Sequence, residues 1–268
     1  MSVPVLDLHG VNKRFGAVQA LTDVDFHVDA GEVVALVGDN GAGKSTLVKT
    51  ISGVNLADSG HFKFLGEPAS IKSPQDATDL GIATVYQDLA LADNLDVAAN
   101  LYLGRETFSP GPFRWLWMIN DTSMEKSSQE LIHSLSARIP SVTTPVASLS
   151  GGQRQIVAIA RSLLGEPKLV LLDEPTAALG VAQTRQVLDL VHELKRRELA
   201  VVVISHNLTD VFEVADRIVV LYLGANAGDY RTKETTREEV VGAITGGAGI
   251  GAAPTPDGGG AAAAEPAP

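Results

Sequence analysis

Cysteine is absent from the chain. Disulfide staples, thiolate metal sites and cysteine nucleophiles are therefore excluded, a usage that fits a reducing compartment. Long apolar runs are missing too. Leu199–Ile204 and Ile218–Leu223 are the longest, far short of the ~20 residues that span a bilayer. No basic stretch followed by an apolar one opens the sequence, so no secretory leader is expected. A soluble chain is expected, with any membrane role arising through a partner. Basic charge is scarce: 21 Lys and Arg stand against 32 Asp and Glu, a net charge of −11. Holding a phosphate backbone requires neutralising it, so nucleic acid is not an expected partner. Aromatic residues make up only 5 %, and both tryptophans fall in one cluster, Phe113-Arg114-Trp115-Leu116-Trp117. That cluster reads either as a docking surface or as the local core of a small helical subdomain.

What is present begins with size and hydrophobicity. With 268 residues, 45 % of them hydrophobic, the chain can bury a sizeable core as one large domain or a domain with an inserted subdomain. Residues Gly38-Asp39-Asn40-Gly41-Ala42-Gly43-Lys44-Ser45-Thr46 fit G-x-x-x-x-G-K-[ST]. They lie between the apolar run Val33–Val37 and a helix-like segment opening at Lys44, with Leu47, Val48 and Ile51 on one face and a stop at Gly53. A strand, a turn whose N–H groups converge, and the positive end of a helix make a polyphosphate site. In this arrangement Lys44 reaches the β- and γ-phosphates. The Ser45 hydroxyl ligates Mg²⁺, a hard cation that prefers oxygen.

Upstream, Val5–Val37 alternates between apolar and polar residues around turn residues at Gly10, Gly16 and Ala30-Gly31, which predicts antiparallel strands. Phe15 sits in a turn there, where its ring is either presented to a ligand or packed on the strand layer. Gly60–Leu65 and Ile82–Tyr86 predict further strands, the second ending at Gln87. The carboxyl end of a parallel strand is where an open α/β sheet contacts ligands, though a Gln there is also an ordinary surface residue. From Asn94 to Leu164 the texture is helical, interrupted at Ser109-Pro110-Gly111-Pro112. Leu149-Ser150-Gly151-Gly152-Gln153 opens a helix through an S-x-x-Q capping box, giving either a second anion site or a plain Gly-rich helix start.

Leu169–Leu172 is a continuous apolar run closing in Asp173 and Glu174, as expected of a strand buried on both faces. Two acids before Pro175 can also cap a helix with the proline at N1. The phosphate loop in the same chain favours a metal-supporting Asp173 and a water-polarising Glu174. Ala200–Ile204 predicts the next buried strand and ends in Ser205-His206, a histidine placed either to meet a γ-phosphate or to be satisfied at a strand end. Ile218–Leu223 reads as the last strand. Residues 246–268 are Gly, Ala and Pro with almost no charge, which predicts a disordered tail. No internal repeat is present, so one nucleotide-binding unit is expected.

Taken in order, the aromatic turn, phosphate loop, Gln87, LSGGQ, the acid-ended strand and His206 resemble the ATP-binding subunits of ABC transporters over roughly residues 5–245. The resemblance implies an α/β fold: a P-loop NTPase core with a mostly parallel sheet, an N-terminal antiparallel subdomain, and a helical subdomain over about 94–164. It implies that Phe15 stacks on adenine and that Gly38–Thr46 (Gly38, Asp39, Asn40, Gly41, Ala42, Gly43, Lys44, Ser45 and Thr46) hold ATP with Mg²⁺. Gln87 then contacts metal or water where the helical subdomain meets a permease, Asp173 supports the metal, Glu174 is the catalytic base and His206 touches the γ-phosphate. Ser150, Gly151, Gly152 and Gln153 would bind the γ-phosphate held by an opposite subunit, so a head-to-tail dimer is implied.

Four segments, Gly38–Lys44, Tyr86–Leu89, Asn100–Glu106 and Glu174–Leu179, resemble the monosaccharide importers of the ribose, xylose and fructose type, in particular their single-domain members. That implies a transmembrane permease, an external sugar-binding protein and a peripheral position on the cytoplasmic face of the membrane. An importer ATPase for another solute is the nearest alternative. A soluble ATPase acting on DNA or ribosomes is opposed by the lack of heptads and of a second ATPase domain. One departure stands out: Leu179 is followed by Gly180, where most of the family has Asp.

Overall fold

The structure is a computed structural model, and it describes residues 3–108 and 119–246. The Pro/Gly interruption at 109–112, the tryptophan cluster and the tail beyond residue 246 lie outside the described residues.

Two sheets form the frame. The first is antiparallel, in the order β2-β1-β4-β5, from β1 (Leu6–Phe15), β2 (Val18–Val28), β4 (Ser59–Phe64) and β5 (Glu67–Ala69). Its alternation works as the pattern predicts: Val24, Phe26 and Val28 are buried while Asp25 and His27 face away. The second sheet runs β10-β9-β3-β8-β7-β6. Its strands are β3 (Val33–Val37), β6 (Ile82–Val85), β7 (Leu169–Asp173), β8 (Ala200–Ile204), β9 (Arg217–Tyr222) and β10 (Ala225–Arg231). All neighbours except β9 and β10 pair in parallel.

The second sheet is sandwiched, which explains the unbroken apolar runs. Successive residues of β3, β7 and β8 point to opposite faces, and both faces are buried. Val34, Leu36, Leu171 and Val202 join the first sheet and α1 (Lys44–Ile51) in one core. Val33, Ala35, Leu172 and Val203 join α5 (Gly151–Leu163) and α6 (Val181–Arg196) in the other. Between β6 and β7 the chain forms α3 (Val97–Tyr102), α4 (Asp121–Ser134), a short 3₁₀ turn at Val146–Ser148, and α5. The remaining helices are α2 (Pro74–Leu80), α7 (Leu208–Val214) and α8 (Arg237–Ile244).

One expectation fails. Ile218–Leu223 does not supply the last strand, because β10 follows and pairs antiparallel with β9, Ala225 opposite Tyr222. Its sequence, Ala-Asn-Ala-Gly-Asp-Tyr-Arg, is polar and holds a glycine, so no periodicity announces it. Pairing makes it a strand: β9 holds one side, and Asn226 bonds the backbone of Asp25 in β2 at 2.9 Å in both directions. At the opposite end of the sheet the buried Arg217 donates to Glu32, Asp229 and the carbonyl of His27, tying β2, β3, β9 and β10 together.

Candidate active site

Parallel pairing gathers the site. Because β3, β8, β7 and β6 run the same way, their carboxyl ends share one edge. The chain order of residues 38, 87, 173 and 206 becomes the spatial order 38, 206, 173, 87. Strands lie about 4.8 Å apart, so Glu174 and His206 end neighbouring strands while Gln87 ends the outer one, about 14 Å from the phosphate-loop strand. Gln87 is exposed there.

The phosphate loop leaves β3 at Gly38 and enters α1 at Lys44. A β-carbon at Gly43 would lie 2.8 Å from the carbonyl oxygen of Ala20 in β2, so only glycine fits, at φ 103°. Gly41 turns at φ 81° into open space. No side chain caps α1, which leaves its first amides and the positive end of the helix to a ligand. The Lys44 ammonium donates to the carbonyls of Gly38 at 2.8 Å and Asp39 at 3.0 Å, within the mouth of the loop. Asp39 and Asn40 are exposed, Ala42 is buried, and Ser45 and Thr46 open α1.

Asp173 and Glu174 close β7 with unlike surroundings. Burial and then the charge of Glu174 push the Asp173 carboxyl above its ordinary value, against the pull of Lys49 and Lys44. Glu174 holds φ 50°, a region that a non-glycine residue occupies only under constraint. Its N–H bonds the carbonyl of Ile204 at 2.9 Å and its carbonyl accepts from Ala177 at 3.1 Å. A turn therefore follows, α6 begins only at Val181, and the proline-headed helix reading is excluded. His206 Nδ1 lies 2.8 Å from Glu174 Oε2. The histidine is largely exposed and the glutamate is not.

These donors suit Mg²⁺. Ser45 and Asp173 are hard oxygen ligands, and desolvated Asp173 gains from a nearby cation. Among the described residues no cluster of three His, Cys, Asp or Glu could hold a metal by itself.

Comparison with known proteins extends this geometry. A family model described as ABC transporter matches residues 21–177. The xylose/arabinose import ATP-binding protein XylG of Sulfolobus acidocaldarius is 45 % identical over 90 % of this chain and 94 % of its own length. The chain belongs to the ABC transporter family. The fructose import ATP-binding protein FrcA of Rhizobium meliloti is 44 % identical over 91 % of this chain and 94 % of its own. The ribose import ATP-binding protein RbsA 2 of Rubrobacter xylanophilus is 45 % identical over 82 % of this chain but only 41 % of its own length. Among solved structures, an ABC transporter cassette in its ADP conformation superposes with a TM-score of 0.77 at 27 % identity, covering 91 % of this chain and 96 % of that one.

In this ABC ATPase the LSGGQ segment stands apart from the phosphate loop. Among the described residues no hydrogen bond or ion pair joins 150–153 to 38–46. Ser150 and Gln153 form the expected reciprocal capping box of α5. Gly151 and Gly152 also have a packing reason to be small, since β-carbons there would meet Leu179 at 3.0 Å and Gln183 at 2.9 Å. Gly180 caps α6 without a side-chain bond and has open space around it. Phe15 ends β1 opposite Val18, 46 % exposed, with the Lys13 ammonium 5.3 Å from its ring centre. The ring is thus available to a ligand, and its hairpin leads into Ala20 beside the loop.

Sequence reasoning missed Arg161. Its guanidinium, on α5, donates to the carbonyls of Leu89 at 2.8 Å and Ala90 at 2.9 Å, clasping the segment after Gln87. Seventy-two residues separate the partners, so no local pattern marks the pair.

Proposed function

We propose that this chain is the ATP-hydrolysing subunit of an ABC importer for a monosaccharide, working as a head-to-tail dimer beneath a transmembrane permease on the cytoplasmic face. One observation carries the reading: four parallel strands deliver Lys44, His206, Asp173 with Glu174, and Gln87 to one edge, with LSGGQ left outside it. The sugar assignment is supported by the printed functions of relatives 44–45 % identical over nine-tenths of both chains. No helix among the described residues is long and apolar enough to cross a membrane.

Lys44 and the amides of Gly41–Thr46 bind and orient the phosphates, while Phe15 takes the adenine. Mg²⁺ held by Ser45 and by Asp173 through water would supply positive charge at the phosphate oxygens. Glu174 orients a water in line with the γ-phosphate and takes its proton, and His206 steadies that phosphate. Ser150, Gly151, Gly152 and Gln153 from the second copy close the pocket. ATP thereby favours the closed pair, and loss of the γ-phosphate reopens it.

The test combines two readouts. Purified protein releases phosphate from ATP, and Lys44→Ala lowers the rate by more than about 100-fold. In membranes holding the co-expressed permease, the same substitution stops uptake of radiolabelled monosaccharide. Unchanged phosphate release would refute the role of Lys44. Hydrolysis without sugar uptake would remove the substrate assignment.

A further inference from the structure

Glu174 and His206 stand on separate segments, and two hydrogen bonds outside the pair set their spacing. Glu174 opens a turn over residues 174–179 in which Glu174 and Ala178 both hold left-handed backbone, at φ 50° and 59°. Such residues persist only where the surroundings constrain them. His206 leaves β8 just ahead of α7, whose N-cap is Asn207, and its side chain is 74 % exposed. On the strand side, the Glu174 N–H bonds the carbonyl of Ile204, two residues before the histidine, at 2.9 Å. On the helix side, the Thr176 hydroxyl donates to Oδ2 of Asp210, four residues after the histidine, at 2.7 Å.

The second bond puts a carboxylate in an unfavourable place. Asp210 is buried, and among the described residues no Lys, Arg or His forms an ion pair with it. Its bond to Thr176 is the one side-chain hydrogen bond among the described residues that joins the turn to α7. A buried carboxylate without a cation costs desolvation, and an apolar side chain would stabilise the helix more. Apolar anchorage is already present in Val211 and Val214, and Arg185 of α6 forms an ion pair with Glu213. What Asp210 adds is direction: a short, charge-assisted bond fixes the turn and the helix at one distance.

We infer that Asp210, acting through Thr176, is a positioning residue for ATP hydrolysis, holding Glu174 and His206 in register so that the glutamate faces the attacking water. The inference rests on the proposed roles of those two residues. With the bond in place, the Glu174–His206 contact of 2.8 Å is braced on both sides. Without it, the turn is free to swing about the Ile204 contact and carry the carboxylate out of line. A displacement of about 1 Å is enough to slow such a reaction by about 100-fold.

The experiment measures ATP hydrolysis by the full chain at limiting and saturating ATP, with the folded fraction followed by circular dichroism on the same preparations. Thr176→Val, similar in shape but without the hydroxyl, is expected to lower kcat about tenfold while KM for ATP stays within about twofold. Thr176→Ser, which keeps the hydroxyl, recovers most of that rate. Asp210→Ala falls as far as Thr176→Val, and the double variant falls no further than the worse single one, because both substitutions remove the same bond. A kcat for Thr176→Val within about twofold of the unsubstituted protein would overturn the inference. So would a fall matched by loss of folded protein, a rise in KM alone, no recovery in Thr176→Ser, or losses that multiply in the double variant. Glu174→Gln separates the two levels: if it hydrolyses ATP at the ordinary rate, the reading of the site itself fails, whatever Thr176 does.

Discussion

Asp173 and Glu174 are adjacent in sequence, yet the fold divides their work. The first is the last residue of a buried strand, desolvated and within the field of two lysines. The second turns left-handed out of the sheet and meets His206. A raised carboxyl pKa means that the native chain holds the Asp173 proton more tightly than the unfolded chain does. Above the ordinary value of 3.8 the ionised group therefore subtracts stability, and the deficit disappears as pH falls to that value. Asp173→Asn is expected to raise the nucleotide-free melting temperature at pH 7 by about 2 °C. The gain closes towards pH 3.8, while metal-dependent hydrolysis is lost. Thermal scans across that range check the sign. Both acids were legible in the sequence because an apolar run ended on them. The pairing of Glu174 with His206 was not, since it depends on which strand lies beside β7.

Elements carry a second lesson, in the contrast between α5 and β10. The start of α5 was readable to the residue, because a capping box and an apolar stripe are local patterns with a 3.6-residue period. The strand β10 was invisible, because an edge strand takes its conformation from a neighbour rather than from its own side chains. Ser150 separates a structural from a functional role within one element. Removing its hydroxyl costs a cap, about 1 kcal/mol of stability. If Ser150 also binds a γ-phosphate across a dimer, Ser150→Ala lowers ATP hydrolysis by more than about tenfold under conditions where the protein stays folded. Urea denaturation and phosphate release measured on one preparation distinguish the two effects. A fall in rate no larger than the loss of folded protein would leave Ser150 as a cap alone.

At the scale of the whole molecule, the proposed mechanism turns on the separation of LSGGQ from the phosphate loop. Among the described residues no hydrogen bond or ion pair joins the two within one chain, and in the proposed mechanism a second copy completes the pocket. Glu174→Gln, which keeps the shape of the side chain but removes the base, is expected to accumulate the ATP-bound dimer. Sizing chromatography with ATP and Mg²⁺ should then show twice the mass of the nucleotide-free protein, and a persistent monomer would count against the shared pocket. What the sequence by itself determined is the local chemistry: a phosphate loop of nine residues, a capped helix start, two acids closing an apolar run. Each is specified by neighbours in the chain, through backbone geometry and side-chain type. Only the tertiary structure decided that β8 inserts between β3 and β7, setting His206 against Glu174, and that Arg161 reaches across to the segment after Gln87. Those juxtapositions follow from strand pairing and core packing over distances of thirty to one hundred and seventy residues, where no short pattern has a say.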